Sequence, residues 1–293
     1  MVSVGPALWQ LFGIVTHLEH SLTIVIRSAG ERTEDLCRTA LREQTDAVIE
    51  TVVERPFLRA LRGSVRLGIE AQRDWTLCVD ADVILAPDAI QRLIRHMKLG
   101  TDVFFACGFL LDRFYGEPKA RGVHLYRTEF LEEAERAIPE SVRNDRPETA
   151  MKQVLLERGR RSLYIEGRPL GIHGYGQYYR DIFRTIATRG QKSREQFAPL
   201  MERFSGAARR DLDLRVALWA LVAGTDGEFS LDARHWDTRI DVLLDASGIS
   251  EKSELSARES RDLRMLARLA GLVPLALWRR FRRIKEMVRR STA

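Results

Sequence analysis

Short apolar runs alternate with helix-like segments in the first half of the chain. The runs are largely continuous, which is the pattern of strands buried on both faces of a sheet. Between them, apolar residues recur at helical spacing, as Leu36, Ala40 and Leu41 do. The strand-like runs are Leu22–Gly30, Asp46–Glu54, Trp75–Leu85 and Asp102–Leu111, and the helix-like segments are Arg32–Gln44, Leu61–Gln72 and Ala86–Gly100.

Strands separated by helices predict βαβ crossovers, and therefore an α/β fold with a mostly parallel sheet flanked by helices. After about Gln191 the pattern changes to helices without clear strands, as in Leu214–Gly224 and Glu259–Leu272. We therefore predict two regions in the 293-residue chain. An α/β domain covers residues 1–192, and a helical region covers residues 193–293.

The net charge of +6 is concentrated at the carboxyl end. The segment Arg279–Arg290 holds seven Lys or Arg residues and one Glu, so the rest of the chain is close to neutral. Its arginines lie opposite an apolar helical face, a pattern typical of helices on anionic membranes. Packing on the chain's own domain and nucleic-acid binding are the alternatives, of which nucleic acid is the least favoured. The apolar face consists of Leu277, Phe281, Ile284 and Val288.

The amino-terminal twenty residues lack the basic segment of a signal peptide, and Gln10, His17 and Glu19 interrupt their apolar character. No run reaches the ~18 apolar residues that a spanning helix needs. The three cysteines lie in unrelated contexts, which favours a reducing compartment. We expect a cytoplasmic protein, peripheral at the inner face of the membrane if its carboxyl-terminal helix binds there.

Two aspartates, Asp80 and Asp82, stand at the end of the third apolar run. Ligands of such sheets bind beyond the carboxyl ends of the strands. Side chains two apart on a strand point to one face, so the two carboxylates converge if the strand continues through both. Convergent carboxylates suit Mg²⁺ or Mn²⁺, which also binds phosphate oxygens. Capping of the next helix and pairing with arginines are the alternatives.

The segment Leu61–Leu85 resembles family 2 glycosyltransferases of the GT-A fold. In that family a glycine-containing helix start and an alanine precede a strand that ends in Asp-x-Asp. Gly68, Ala71, Asp80 and Asp82 fall at the matching places. The resemblance covers roughly residues 22–189, but only the aspartate pair is a specific motif.

The resemblance implies that Asp80 and Asp82 bind the donor's ribose, its pyrophosphate and a metal ion. It also implies that the first two strand ends contact the nucleotide, through Arg27, Ser28 and Glu54. This sequence departs from the family at these ends. A turn of the type Pro-Thr-Tyr-Asn is replaced by Arg-Ser-Ala-Gly, so the nucleotide base is not specified.

Two later residues complete the expected site. Glu148 matches the family's acid that deprotonates the acceptor hydroxyl, with Asp145 as the alternative. Asp145 followed by Glu148 also fits a helix-capping pattern. His173 lies between glycines that permit close approach of a ligand, and it matches a late histidine that completes the metal site in many GT-A enzymes. An imidazole beside two carboxylates is compatible with Mn²⁺.

These expectations together indicate a metal-dependent glycosyltransferase. It would move a sugar from a nucleotide-diphosphate donor to a glycan or lipid-linked acceptor, with inversion if Glu148 is the base. Two alternatives remain open. A HAD-like phosphatase also has an Asp-x-Asp pair after an apolar strand, but that family usually opens with the motif. A membrane or nucleic-acid adaptor would leave the aspartate pair, Glu148 and His173 unexplained.

Overall fold

A computed structural model describes residues 21–140, 147–192, 194–225 and 233–278. The expectations for Asp145 and for the basic segment 279–290 fall outside these residues.

The strands of the structure are β1 (Leu22–Ser28), β2 (Val48–Val53), β3 (Trp75–Asp80), β4 (Val83–Leu85), β5 (Val103–Asp112), β6 (Pro118–Arg127), β7 (Arg161–Ile165) and β8 (Gly171–His173).

The helices follow the strands and then continue alone to the end of the described chain. They are α1 (Glu34–Arg42), α2 (Phe57–Ala71), α3 (Ala89–Met97), α4 (Leu131–Ala137), α5 (Pro147–Glu157), α6 (Tyr179–Lys192), α7 (Phe197–Ala207), α8 (Leu212–Thr225), α9 (Asp237–Ala246) and α10 (Ala257–Leu272). Among the described residues, no helix has the length and apolar character to cross a bilayer.

The eight strands form one mixed sheet in the order β2-β1-β3-β6-β5-β8-β4, with β7 paired to β5. Four of the seven pairings between these described strands are parallel. Helices pack on both faces, and the carboxyl-terminal part is helical. The α/β, GT-A-like class predicted from the sequence is therefore confirmed. The predicted boundary between residues 192 and 193 coincides with the end of α6 and stays a prediction.

The core of the sheet is apolar on both faces. One face holds Ile24, Leu77 and Leu93, and the other holds Val65 and Phe104, all buried. A third cluster joins α6 to the later helices through fully buried Phe183, Phe204 and Trp236. Helix α10 returns to cover the edge formed by β4 and β8, where Ala267 and Ala270 contact buried Ile84 and Ile172.

The third apolar run is the place where the structure differs from a single strand. It divides at Ala81 into β3, which pairs with β1 and β6, and β4, which pairs with β8. The amide of Ala81 donates to the carbonyl of Arg27 at 3.0 Å, and the Thr33 hydroxyl donates to the carbonyl of Ala81 at 3.0 Å. The two aspartates therefore lie on either side of a fixed turn.

Candidate functional site

A cavity of about 670 Å³ opens at the carboxyl ends of β1 and β3. Helices α5 and α6 also contribute residues to its lining. Each of the seven residues that the sequence predicts for the site lines it. They are Arg27, Ser28, Glu54, Asp80, Asp82, Glu148 and His173.

Asp80 lies beside Arg27 because β1 and β3 are parallel and in register there. The Nε of Arg27 donates to Oδ1 of Asp80 at 2.8 Å. The Arg27 side chain is only 3% exposed, and the Asp80 side chain is 30% exposed. Burial raises the pKa of Asp80 to about 6, although Arg27 opposes the shift. The ion pair is one of the alternatives that the sequence left open for this aspartate.

Asp82 faces a different partner. Because Val83 of β4 is paired with His173 of β8, the imidazole comes next to the turn. Oδ2 of Asp82 is 3.3 Å from Nε2 of His173, and Nδ1 of His173 is 3.0 Å from Oδ2 of Asp112. Burial would lower the pKa of His173, but Asp82 and the hydrogen bond with Asp112 raise it. The histidine is thus fixed between two carboxylates.

Asp82 and His173 fit two ligands of one divalent cation. Their nearest atoms are 3.3 Å apart, and neighbouring ligands of an ion with bonds of about 2.1 Å lie roughly 3 Å apart. Asp112 holds the other ring nitrogen, as carboxylates do at metal-ligating histidines. Within the described part of the chain, however, no three His, Cys, Asp or Glu side chains form a ready metal site. A cation here would take its remaining ligands from phosphate or water.

Glu148 lies in the first turn of α5, where a negative charge also stabilises the helix amino terminus. Its Oε1 accepts hydrogen bonds from the Tyr126 hydroxyl at 2.6 Å and from Nη1 of Arg27 at 3.1 Å. It also lies 3.2 Å from Nδ1 of His124 and 3.8 Å from Nζ of Lys152. Burial would raise the pKa of Glu148, but these neighbours hold it well below its usual value. Glu148 is therefore ionised at neutral pH.

Ser28 and Glu54 lie on the side of the cavity where the resemblance implies that the nucleotide of the donor binds. The Ser28 hydroxyl donates to Oε2 of Glu34 at 2.5 Å and also lies 3.1 Å from Oε2 of Glu31. Glu54 follows β2 and is exposed at the rim. Burial, together with the charge of Asp82, raises the pKa of Glu31 to about 7. This side of the cavity is rich in acids.

Several residues in the cavity or next to it were missed by the sequence analysis. Asp112 ends β5 as Asp80 ends β3, so the same rule of strand ends could have found it. His124 and Tyr126 alternate on β6 and reach Glu148 from one face of the sheet. Lys152 follows Glu148 by one helical turn. Asp181, in the first turn of α6, carried no pattern that pointed to the site.

No protein-family model matches the chain, and no curated protein matches it. Among solved structures, the chain is similar to mannosyltransferase PcManGT from Pyrobaculum calidifontis in complex with GDP-Man and Mn²⁺. The identity is 15% and the TM-score 0.40, over 85% of each chain.

Two further solved structures are similar to the chain. Glucosyl-3-phosphoglycerate synthase from Mycobacterium tuberculosis, in complex with Mn²⁺, UDP and glucosyl-3-phosphoglycerate, shows 12% identity and a TM-score of 0.39 over 59% of this chain and 77% of that one. The 4-diphosphocytidyl-2C-methyl-D-erythritol synthase from Anaerococcus prevotii shows 9% identity and a TM-score of 0.37 over 54% and 91%. These likenesses concern the fold alone.

Proposed function

We propose that the chain is a metal-dependent glycosyltransferase that moves a sugar from a nucleotide-diphosphate donor to an acceptor hydroxyl. The observation that carries the proposal is the turn at Ala81. It presents Asp80 and Asp82 to one cavity at the carboxyl ends of parallel strands and holds Asp82 against a buried histidine. A phosphate-bridging cation suits this arrangement of oxygen and nitrogen donors.

The donor would bind across the ends of β1, β2 and β3, with Arg27, Ser28 and Glu54 around the nucleotide. Asp82 and His173 would hold Mn²⁺ or Mg²⁺, with Asp80 beside them. When bound, the ion would neutralise negative charge on the departing diphosphate. Arg27 would add a fixed positive charge, because its guanidinium lies 2.8 Å from Asp80 and cannot lose its proton.

The acceptor would enter on the side of α5 and α6. Glu148 is proposed as the general base, which requires its carboxylate to reach the attacking hydroxyl. The four contacts described above all involve Oε1. The other oxygen of the carboxylate would accept the proton. Attack from this side, opposite the departing diphosphate, would invert the anomeric configuration.

The acceptor class is proposed from the sequence as a glycan or a lipid-linked glycan. The basic segment 279–290 supports attachment to an anionic membrane surface, which would suit such an acceptor. The pairing of Asp80 with Arg27 does not favour the phosphatase alternative, in which this carboxylate would be the free nucleophile. The phosphatase alternative is an outcome of the test below.

Thermal shift of the full chain with UDP, GDP and their sugar derivatives, with and without Mn²⁺, tests the proposal. We expect at least one nucleotide to stabilise the protein only with the metal present, and Asp82→Asn to abolish the shift. Asp88→Asn is the matched control, because Asp88 pairs with Arg168 at 3.1 Å outside the cavity. No response to any nucleotide, with phosphate-ester hydrolysis that Asp80→Asn removes, would establish a phosphatase instead.

A further inference from the structure

The outer side of α10 carries a row of apolar side chains, which we call the α10 stripe. It consists of Met265, Leu269 and Leu272, each of which is more than half exposed. At 3.6 residues per turn, the three positions lie within about 60° of one another around the helix axis. Leu277, which follows the helix, is also exposed, at 43%. Single exposed apolar side chains are ordinary on a protein surface, whereas a row on one helix face indicates an interaction surface.

The α10 stripe is not the side by which the helix packs on the sheet. The opposite side holds Ala270 and Gly271, which are buried. Gly271 lies so close to the sheet edge that a Cβ there would stand 2.7 Å from the Cβ of Ala86. Beyond the helix, the amide of Leu275 donates to the carbonyl of Gly167 at 2.6 Å. Close packing on one side of α10 therefore leaves the stripe turned outwards.

Arginines share this outer side with the stripe. Arg261 and Arg268 are exposed, and both lie within about 60° of Met265 around the helix axis. Arg258 is 87% exposed, and its Nε lies 4.0 Å from Oδ2 of Asp262, which is itself 64% exposed. The outer side of α10 thus presents three arginines against one aspartate, beside apolar side chains.

The other two charged residues of α10 are turned towards the rest of the chain. Nη2 of Arg264 lies 2.9 Å from Oε1 of Glu43, and Oε1 of Glu259 accepts from Nη2 of Arg32 at 2.9 Å. These pairs leave the positive balance of the outer side unchanged. Shortly after the stripe, the sequence also continues into segment 279–290, with its seven Lys or Arg residues and one Glu. Positive charge therefore both precedes and follows the stripe along the chain.

The combination of an apolar row with arginines decides between kinds of partner. A second copy of the chain, docked through the same side, would bring like charges together, which costs free energy. A nucleic acid would pair with the arginines through its phosphates but would offer the stripe no apolar layer. A bilayer of anionic lipids offers both, since apolar side chains enter the boundary of the acyl region while arginines reach the headgroups.

We propose that the outer side of α10 docks on an anionic lipid surface through Met265, Leu269 and Leu272, with Arg268 among the headgroups. The helix would lie in the plane of the interface, and the sheet edge formed by β4 and β8 would face the bilayer. Segment 279–290 would add attraction to the same lipids. The inference does not depend on the proposed glycosyltransferase function, because it concerns a surface and not the reaction.

Co-sedimentation of the full chain with vesicles of phosphatidylcholine and phosphatidylglycerol tests the apolar part of the surface. We expect Leu269→Ser and Leu272→Ser each to weaken vesicle binding about tenfold, because each removes apolar area that the bilayer would bury. Leu99→Ser is the matched control, since Leu99 follows α3 and is 72% exposed. If a serine variant does not fold, Met265→Gln, which keeps a good helix former, should weaken binding in the same direction.

Arg268→Gln tests the part of the charge. It should weaken binding to the anionic vesicles about fivefold, and it should leave binding to vesicles of phosphatidylcholine alone unchanged. Absence of binding to anionic vesicles, or equal binding by Leu99→Ser and the two stripe variants, would overturn the inference. A native protein that dimerises in sedimentation velocity, and that Leu269→Ser makes monomeric, would assign the stripe to a second copy and overturn it as well. The thermal shift with nucleotide stays a separate test of the proposed function, and the stripe variants should retain it.

Discussion

The two aspartates of one motif lie beside two ionic regions of the cavity that differ in how fully their charges are paired. Asp80 is held by Arg27, which belongs to a paired cluster under α5. Asp82 belongs to an acidic cluster near the start of α6. The paired cluster consists of Arg27, His124, Tyr126, Glu148 and Lys152, and the acidic cluster of Glu31, Asp82 and Asp181.

The pKa of Glu148 shifts in the opposite direction from the pKa values of Glu31 and Asp181. In the paired cluster, the surrounding donors overcome burial and hold the pKa of Glu148 well below its usual value. In the acidic cluster, burial and neighbouring acids raise the pKa of Glu31 to about 7 and that of Asp181 to about 6. The paired cluster therefore supplies its own cations. The acidic cluster would be stabilised by a cation that a ligand brings.

Glu148→Ala should break the paired cluster and have the largest effect. It removes the carboxylate beside buried Lys152 and leaves Arg27 with Asp80 alone, and removing one partner from a buried ion pair costs roughly 3–5 kcal/mol. Denaturant unfolding measures the loss. Asp82→Ala is the comparison, since Asp82 is 21% exposed and its partner His173 keeps its contact with Asp112, and we expect it to cost much less.

Glu148→Gln separates the charge of this residue from its shape. The amide keeps a hydrogen-bond acceptor for Tyr126, so the protein should stay folded and keep its nucleotide affinity. Transfer should fall by about 10²–10⁴-fold if Glu148 is the general base. A Glu148→Ala variant that is as stable as Asp82→Ala would contradict the difference between the two clusters.

Asp112→Asn probes the acidic side through its histidine. Asp112 fixes Nδ1 of His173 at 3.0 Å, and loss of such a partner typically weakens metal binding by about 10–100-fold. The Mn²⁺ concentration that gives half of the nucleotide-dependent thermal shift measures this change. Asp211→Asn, which removes a carboxylate that pairs with Arg113 outside the cavity, should leave it unaltered. Equal metal affinity in both variants would argue against His173 as a ligand.

The sequence predicted the sheet and its ligand edge well because buried parallel strands leave an unmistakable apolar pattern. Leu22–Ser28 and Val103–Asp112 match their predicted runs within two residues. The strand-end rule also led to Asp80, and the resemblance implied Arg27. The ion pair between them could be anticipated only as an alternative, because it depends on the register of two strands.

The separation of Asp80 from Asp82 could not be read from the sequence. A continuous apolar run gives no sign that Val83–Leu85 leaves β3 and pairs with β8 instead. The same pairing decides that His173 meets Asp82. Glu148 was found by resemblance, but its partners His124, Tyr126 and Lys152 come from β6 and α5 and meet only in the folded sheet. Contacts that depend on long-range pairing carry no local signal.

Asp181→Asn should have the smallest effect on stability, and this effect should be a gain and not a loss. Because the pKa of Asp181 is raised from 3.8 to about 6 by burial, its ionisation favours the unfolded state. Stability should therefore fall as pH rises from about 4 through 6. A pKa shift of about two units corresponds to a loss of at most ~3 kcal/mol in the free energy of unfolding. Loss of the hydrogen bond with Arg184 offsets part of the gain in the variant. We expect the variant to be about 1 kcal/mol more stable than the native protein at pH 8.

Unfolding curves between pH 4 and pH 8 measure the difference, which should vanish near pH 4, where Asp181 is protonated in the folded protein. Arg184 keeps Asp237 at 2.7 Å, so the variant does not leave an isolated buried cation. Asp241→Asn is the control, since Asp241 and its partner Arg180 are both 47% exposed and such pairs contribute little. A parallel pH profile for the native protein and Asp181→Asn would show that the acidic cluster is as fully compensated as the paired one. Removing the carboxylate of Asp181 near α6 should therefore stabilise the protein, whereas removing that of Glu148 under α5 should destabilise it. Only unequal pairing of the two clusters explains both results.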